Sequence, residues 1–424
     1  MRYIYLSVLL IYRIGLEQNY LVVAQSGWAG FHFHSVSVID QLTSYGVLLT
    51  LGFLVPLSCR RPSQYIVVLL FSLSYVPITA LYPLADESTL PGLLAISIAF
   101  AILLRMDGSW IGFMRGGMPL TRPSLIFLLI SLVIVMTLAM IGHFGLHLNF
   151  PDLADVYGLR EMHTMQSTRG WGYLVAWLAK VVNPMLLVLA LYRKQWWLVA
   201  VTIAVQILIF NTTGLKTIFF GLILVGGLYG LVSWFKERFA LSIVLTCTLG
   251  IAGISAYFQM LPDTGKLLYS LLVRRIFLVP GSLYYKYLEY FSEHGLIYFS
   301  DRLPFSLFLS YPFSNTPPKL IGAHYYGSSE VSANANIFAD GFANAGYSGF
   351  IIVCVMLYGL FFFLDNLSHK KDLRIVVPLL AIPSYAMINT SLPTILVTHG
   401  LVLGVVLIAL LPSKLCSERI TRIE

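Results

Sequence analysis

Apolar runs of about 20 residues recur along this chain, and few folds can accommodate them. A run of that length crosses a bilayer as a helix, because only a helix satisfies its own backbone polar groups in hydrocarbon. Of the 424 residues only 11% are charged and 58% are hydrophobic, against roughly 25% charged in a soluble domain. The length would hold roughly two or three soluble domains, but the runs predict a single all-α integral membrane domain over 1–424. We place about twelve spans, near 3–24, 39–58, 64–82, 90–105, 123–147, 171–192, 195–211, 217–235, 240–259, 346–365, 375–391 and 393–412.

The formal charge of +8 does not point to nucleic acid. Many basic residues sit in short loops between apolar runs, where they set orientation. Arg60 and Arg61, Arg105, Arg115 and Arg122, Arg193 and Lys194, Lys236 and Arg238, Lys370, Lys371 and Arg374 fall on one side, with Arg2 and the tail residues Lys414, Arg419 and Arg422. By the positive-inside rule that side and both termini are expected in the cytoplasm. The first apolar run carries Arg13 and Glu17, so it reads as a retained helix rather than a signal peptide. Cys247 and Cys354 lie within expected spans and Cys59 and Cys416 at the inner boundary, so no disulfide is implied.

The stretch 261–347 is expected to face outward as one large segment between the ninth and tenth spans. It carries six basic and six acidic residues, a balance that suits a folded site better than a sticky polycation. Arg274 and Arg275 follow an apolar run, and Pro280-Gly281 then predicts a break. The expected result is an interfacial helix, the break, and a second helix from Ser282 to about Glu293. Tyr284, Tyr285, Tyr287 and Tyr290 in that second helix suit a membrane belt or sugar stacking. Adjacent arginines match phosphate oxygens bidentately.

Other outward regions carry groups capable of chemistry. Residues 148–170 include Arg160, Glu161, His163 and Arg169. Lys216 opens an expected helix with no charged neighbour in sequence, which suits an anion or a lysine reaching for the interface. Asn389 to Ser391 form a further tip, with His399 below it. Arg13 and Glu17 are four apart on one helix face and read as a structural ion pair. His143, His147 and His163 with Asp152 and Asp155 include possible metal ligands, but no HExxH or DxD string accompanies them. Asn334, Asp340 and Asn344 add polar groups before the tenth span, Asp340 as a general base or as a charge favoured by a helix N-terminus.

Several of these stretches together resemble the oligosaccharide repeat-unit polymerases of bacterial O-antigen assembly, the Wzy family. The likeness is carried by Val156 to Glu161, by Asn211 to Phe219 around Lys216, by Arg274 to Pro280 with Tyr284 and Tyr285, and by Ala333 to Gly349. Their order and shared outward placement make up the match, which spans about 150 to 350.

The resemblance implies a metal-independent, C-type glycosyltransferase of the bacterial inner membrane, needing no cofactor. Its donor and acceptor would both be undecaprenyl-diphosphate-linked oligosaccharides at the periplasmic face, surrounded by membrane lipids, with a chain-length regulator as a partner. Diphosphate is already a good leaving group, so the chemistry chiefly needs cations. Arg160, Arg274, Arg275 and Lys216 are the natural candidates, with Arg169 and His163 beside them. Glu161, Asp340 or His163 would accept the proton of the acceptor hydroxyl, and Tyr284, Tyr285 and Asn334 would contact sugar. Two rivals are an O-antigen ligase and a flippase for lipid-linked oligosaccharide. Transporters commonly show two related halves, whereas this chain is asymmetric.

Overall fold

Among the described residues every regular element is a helix. The computed structural model describes residues 1–32, 35–106, 119–148, 156–302 and 304–413, without the side chains of Val156, Tyr157, Thr164 and Arg169. In chain order the helices are α1 (Arg2–Gln25), α2 (Val38–Leu54), α3 (Pro62–Leu81), α4 (Leu90–Arg105), α5 (Arg122–Phe144), α6 (Val156–Gln166), α7 (Gly170–Tyr192), α8 (Trp196–Thr213), α9 (Lys216–Trp234) and α10 (Lys236–Met260). They continue with α11 (Pro262–His294), α12 (Pro317–Tyr326), α13 (Ile337–Ala345), α14 (Tyr347–Leu367), α15 (Leu373–Leu379), α16 (Ala381–Ala386), α17 (Leu392–Val397) and α18 (Leu401–Leu410). Nine of the described helices, α1, α3, α5, α7, α8, α9, α10, α11 and α14, are long and apolar enough to cross a bilayer. This is a multi-pass, all-α membrane protein.

Local chemistry starts and stops these helices where the sequence provides caps. Thr89 accepts from the Gly92 amide at the head of α4, and Thr121 accepts from Ser124 at the head of α5. Each is followed by a proline in the first turn, where no backbone donor is needed. Gly214, at φ +64°, closes α8 in the left-handed conformation, and Lys216 opens α9 two residues later.

Helix α4 has the expected bounds, 16 residues, whereas α2, 17 residues long, ends short of the expected 39–58. The last two expected spans differ. The stretch 375–391 is split into α15 and α16, with Pro378 and Pro383 removing backbone donors. The stretch 393–412 is split into α17 and α18 at Gly400, which takes φ +71°.

The larger correction concerns α11. The break expected at Pro280-Gly281 is absent, and one continuous helix of 33 residues runs from Pro262 to His294. It packs against α1, α3, α10 and α13 rather than lying apart from the bundle. The reason lies in the turn ahead of the proline. Tyr269–Leu278 is π-helical, and the Val279 amide bonds five residues back to Arg274 O. The carbonyl four before Pro280 therefore does not depend on the missing N–H. The same device recurs twice. Phe71–Tyr75 widens α3 ahead of Pro77, and Leu178–Val182 widens α7 ahead of Pro184. Two of these sites meet: a Cβ on Gly281 would stand 3.3 Å from the backbone of Pro77, a tight contact, so glycine eases the close crossing of α11 and α3.

Contacts divide the bundle into two ends. At one, Arg2 donates to Val55 O, Ser63 to Asp365, Ser58 to Glu237 and Tyr192 to Asp372. This is the basic end. At the other, Tyr82 donates to Asp40, Tyr284 to Gly92 O and Trp177 to Val397 O. Between them α3 is enclosed by protein, whereas α5 leaves most of its apolar surface exposed. Arg13 is fully buried in α1 and meets Glu17 at 2.8 Å, as expected, with Ser44 and the Tyr45 ring completing its surroundings.

Candidate functional site

The basic residues singled out in the sequence fall into separate groups at the end opposite the basic one. The first group surrounds Trp28, just beyond α1. Arg274 places its Cζ 4.2 Å from the indole centroid, and Lys266 its Nζ 5.8 Å away. Arg274 also donates to Ser270 Oγ at 3.0 Å. Among the described residues no carboxylate comes within 4.0 Å of either cation. Arg275 is exposed, since consecutive residues of a helical turn point in different directions. The two arginines therefore do not form one bidentate clamp.

Beside this group Lys286 is almost fully buried. It donates to Gly30 O and Ser282 Oγ, both at 2.9 Å, and pairs with Glu87 at 2.7 Å. This pair ties α11 to the turns after α1 and α3. Neither Lys286 nor Glu87 stood out in the sequence as a site residue.

The tyrosines of α11 are structural. Tyr284 and Tyr285 are 0% exposed, and their hydroxyls donate to Gly92 O at 2.7 Å and Ile78 O at 3.1 Å. Tyr287 is buried likewise and donates to Ala333 O. These rings neither face lipid as a belt nor offer a face to sugar. The sequence assigned them to the interface because it placed α11 outside the bundle. A buried phenol needs a partner for its hydroxyl, and backbone carbonyls supply it.

The second group gathers around α6, which packs on α8 near the α8–α9 turn. Arg160 and Glu161 are exposed on α6, and Lys216 is half-buried at the start of α9. His163 is half-buried, with its ring stacked on Phe144 at 4.8 Å and its Nε2 buried without a hydrogen-bond partner among the described residues. Burial pushes its pKa down. His143 stacks on Trp171 at 4.2 Å, and His147 Nε2 meets Phe144 O. Asn211 reaches the carbonyls of His147 and Leu148. The Arg169 side chain, Asp152 and Asp155 lie outside the described residues.

The third group is already compensated. Arg302 grips Asp340 with two hydrogen bonds, 2.5 and 3.0 Å, and lies 3.3 Å from Asp301. Burial alone would lower the Arg302 pKa, but the two carboxylates outweigh it and raise it. Both oxygens of Asp340 are thus engaged, which leaves it poorly placed to accept a substrate proton. Asn334 is exposed, with its amide on Ser332 Oγ. Asn344 instead accepts from the Phe299 amide and stays buried.

One further pair joins His399, noted in the sequence below the 389–391 tip, to a lysine that the sequence left unremarked. Lys180, the lone charge in α7, lies 3.4 Å from His399 Nδ1. A single charge within an apolar run was the available signal. Compared with known proteins, the chain matches no family model, and no curated protein or solved structure matches it.

Proposed function

We propose that this protein polymerises undecaprenyl-diphosphate-linked oligosaccharide repeat units at the periplasmic face of the bacterial inner membrane, with its basic end in the cytoplasm. The reading rests on one observation above all. Two cations, Arg274 and Lys266, share the Trp28 ring and have no carboxylate within 4.0 Å among the described residues. Like charges held together at a bundle end, uncompensated from within, suit a doubly charged ligand such as a diphosphate.

In this scheme the bond between the anomeric carbon of the growing chain and its lipid diphosphate breaks. A new bond forms to a sugar hydroxyl of the incoming unit, and lipid diphosphate leaves with the electron pair. Arg274 and Lys266 hold the departing diphosphate, and Trp28 positions them. Arg160 and Lys216, in the second group, serve the other lipid-linked unit. Arg302 occupies Asp340, so the hydroxyl proton goes to Glu161 or His163 of the second group, which requires the two lipid-linked units to meet between the groups. Each charge-assisted hydrogen bond to the leaving group contributes about 1.5–3 kcal/mol. A chain-length regulator would act as a partner.

The test is a polymer ladder in cells lacking the gene and complemented with Arg274→Ala or Arg160→Ala at matched membrane levels. The expected result is loss of long ladders with single repeat units still capped onto the acceptor. Normal ladders from both variants would refute the proposal. Loss of all capping would assign the protein as a ligase, and transport of lipid-linked oligosaccharide by the purified protein would assign it as a flippase.

A further inference from the structure

The Lys180–His399 pair sits where two irregular stretches of backbone face each other. Lys180 lies within the π-helical turn Leu178–Val182 of α7. Opposite it the chain breaks between α17 and α18 at His399 and Gly400. Non-helical backbone at membrane depth is tolerated where protein buries it or a cavity receives it. Here both stretches are held firmly. Trp177 Nε1 donates to Val397 O at 2.7 Å, and Gly400 packs so tightly on Val181 that a Cβ would collide with its side chain. On the far side of the turn Gln206 Nε2 bonds Ala179 O and Ile218 O, and Asn183 bonds Gln206.

A polar network therefore supports the turn through Gln206 and Asn183, but it does not reach the Lys180 ammonium. Among the described residues its hydrogen-bonding partner is another base, and no carboxylate lies within 4.0 Å. A cation at this depth is costly unless paired. Lys180 and His399 are both partly accessible, and Tyr173 and Val397 beside them expose apolar surface on the flank of the bundle. Gln206 links the carbonyl before Lys180 to the first turn of α9, the helix that Lys216 opens. A ligand that suits this place carries an anion on an apolar tail.

We propose that Lys180 and His399 form a binding site for the phosphate head of a lipid that enters from the bilayer. Lys180 supplies the charge, His399 donates or accepts the second hydrogen bond, and Tyr173 and Trp177 border the tail. The site is distinct from the Trp28 group and stands whether or not the protein transfers sugar. A polyprenyl phosphate and a bilayer phospholipid share the required chemistry.

The experiment is native mass spectrometry and thermal unfolding of the purified full chain in detergent. The probes are a polyprenyl phosphate, the corresponding neutral polyprenol, and phosphatidylglycerol. Wild type is expected to retain the phosphate-bearing probe and not the alcohol. Lys180→Met and His399→Leu are each expected to weaken retention about tenfold or more, and Lys180→Arg to preserve it. Selective retention of polyprenyl phosphate identifies that lipid as the occupant, and equal retention of phosphatidylglycerol identifies bulk phospholipid. Equal binding of the neutral alcohol, or unchanged binding in both the Met and Leu variants, overturns the site. Should Lys180→Met fail to fold, the His399→Leu and Lys180→Arg results decide.

Discussion

Arg274 rests on Trp28, its Cζ 4.2 Å from the centre of the ring, and Lys266 approaches the same ring. The indole fixes the guanidinium without neutralising it, which a carboxylate would do. Trp28→Ala is therefore expected to lower polymer synthesis about tenfold, with Trp28→Phe retaining most of it. Ladder intensity at matched membrane levels measures this. Equal loss in both variants would mean that the indole matters for folding rather than for placing Arg274.

The Lys286–Glu87 pair is nearly sealed from solvent, with side chains 2% and 11% exposed. Removing one partner strands a buried charge, so Glu87→Ala is expected to destabilise by about 3–5 kcal/mol. Glu87→Ala combined with Lys286→Met should recover much of the loss. Thermal unfolding in detergent reads both. A double variant no better than the single one would contradict the pairing.

His163 predicts a dependence on pH. Burial depresses its pKa below the ordinary value of 6.5, and among the described residues its Nε2 has no hydrogen-bond partner. A depressed pKa contributes stability above 6.5 that is lost as pH falls through the folded value. The α6 amides should thus exchange faster with deuterium at pH 5.5 than at pH 7.5, relative to intrinsic rates. His163→Gln should flatten that difference.

Helices α13 and α14 meet at Gly341 and Gly349, where a Cβ on Gly349 would overlap the Gly341 carbonyl. Gly349→Ala should cost about 3 kcal/mol, seen as a lowered unfolding temperature. Ser348→Ala, on an exposed neighbour, serves as the control and should leave it nearly unchanged.

Most of the helical architecture was legible because apolar runs have a length that only spanning helices satisfy. The Arg13–Glu17 pair was legible for a related reason, since spacing of four on one helix fixes proximity. The course of α11 was not. Proline normally ends a helix, and the widened turn that tolerates Pro280 has no local composition to mark it. That one misplacement carried Tyr284 and Tyr285 to the wrong environment. Partners distant in sequence were equally hidden. Trp28 lies far along the chain from Arg274, Glu87 from Lys286, and His399 from Lys180, and hydropathy says nothing about which loops meet.

A widened turn behaves like an inserted residue that the helix absorbed instead of ending. Everything after Leu278 is carried around the axis by about 100° for each residue so absorbed. Deleting a single residue from 269–278 would swing the whole tyrosine run off the carbonyls of Gly92 and Ile78, though no tyrosine had been altered. The geometry of that run is thus written upstream of it, in the length of the coil rather than in the identity of its side chains.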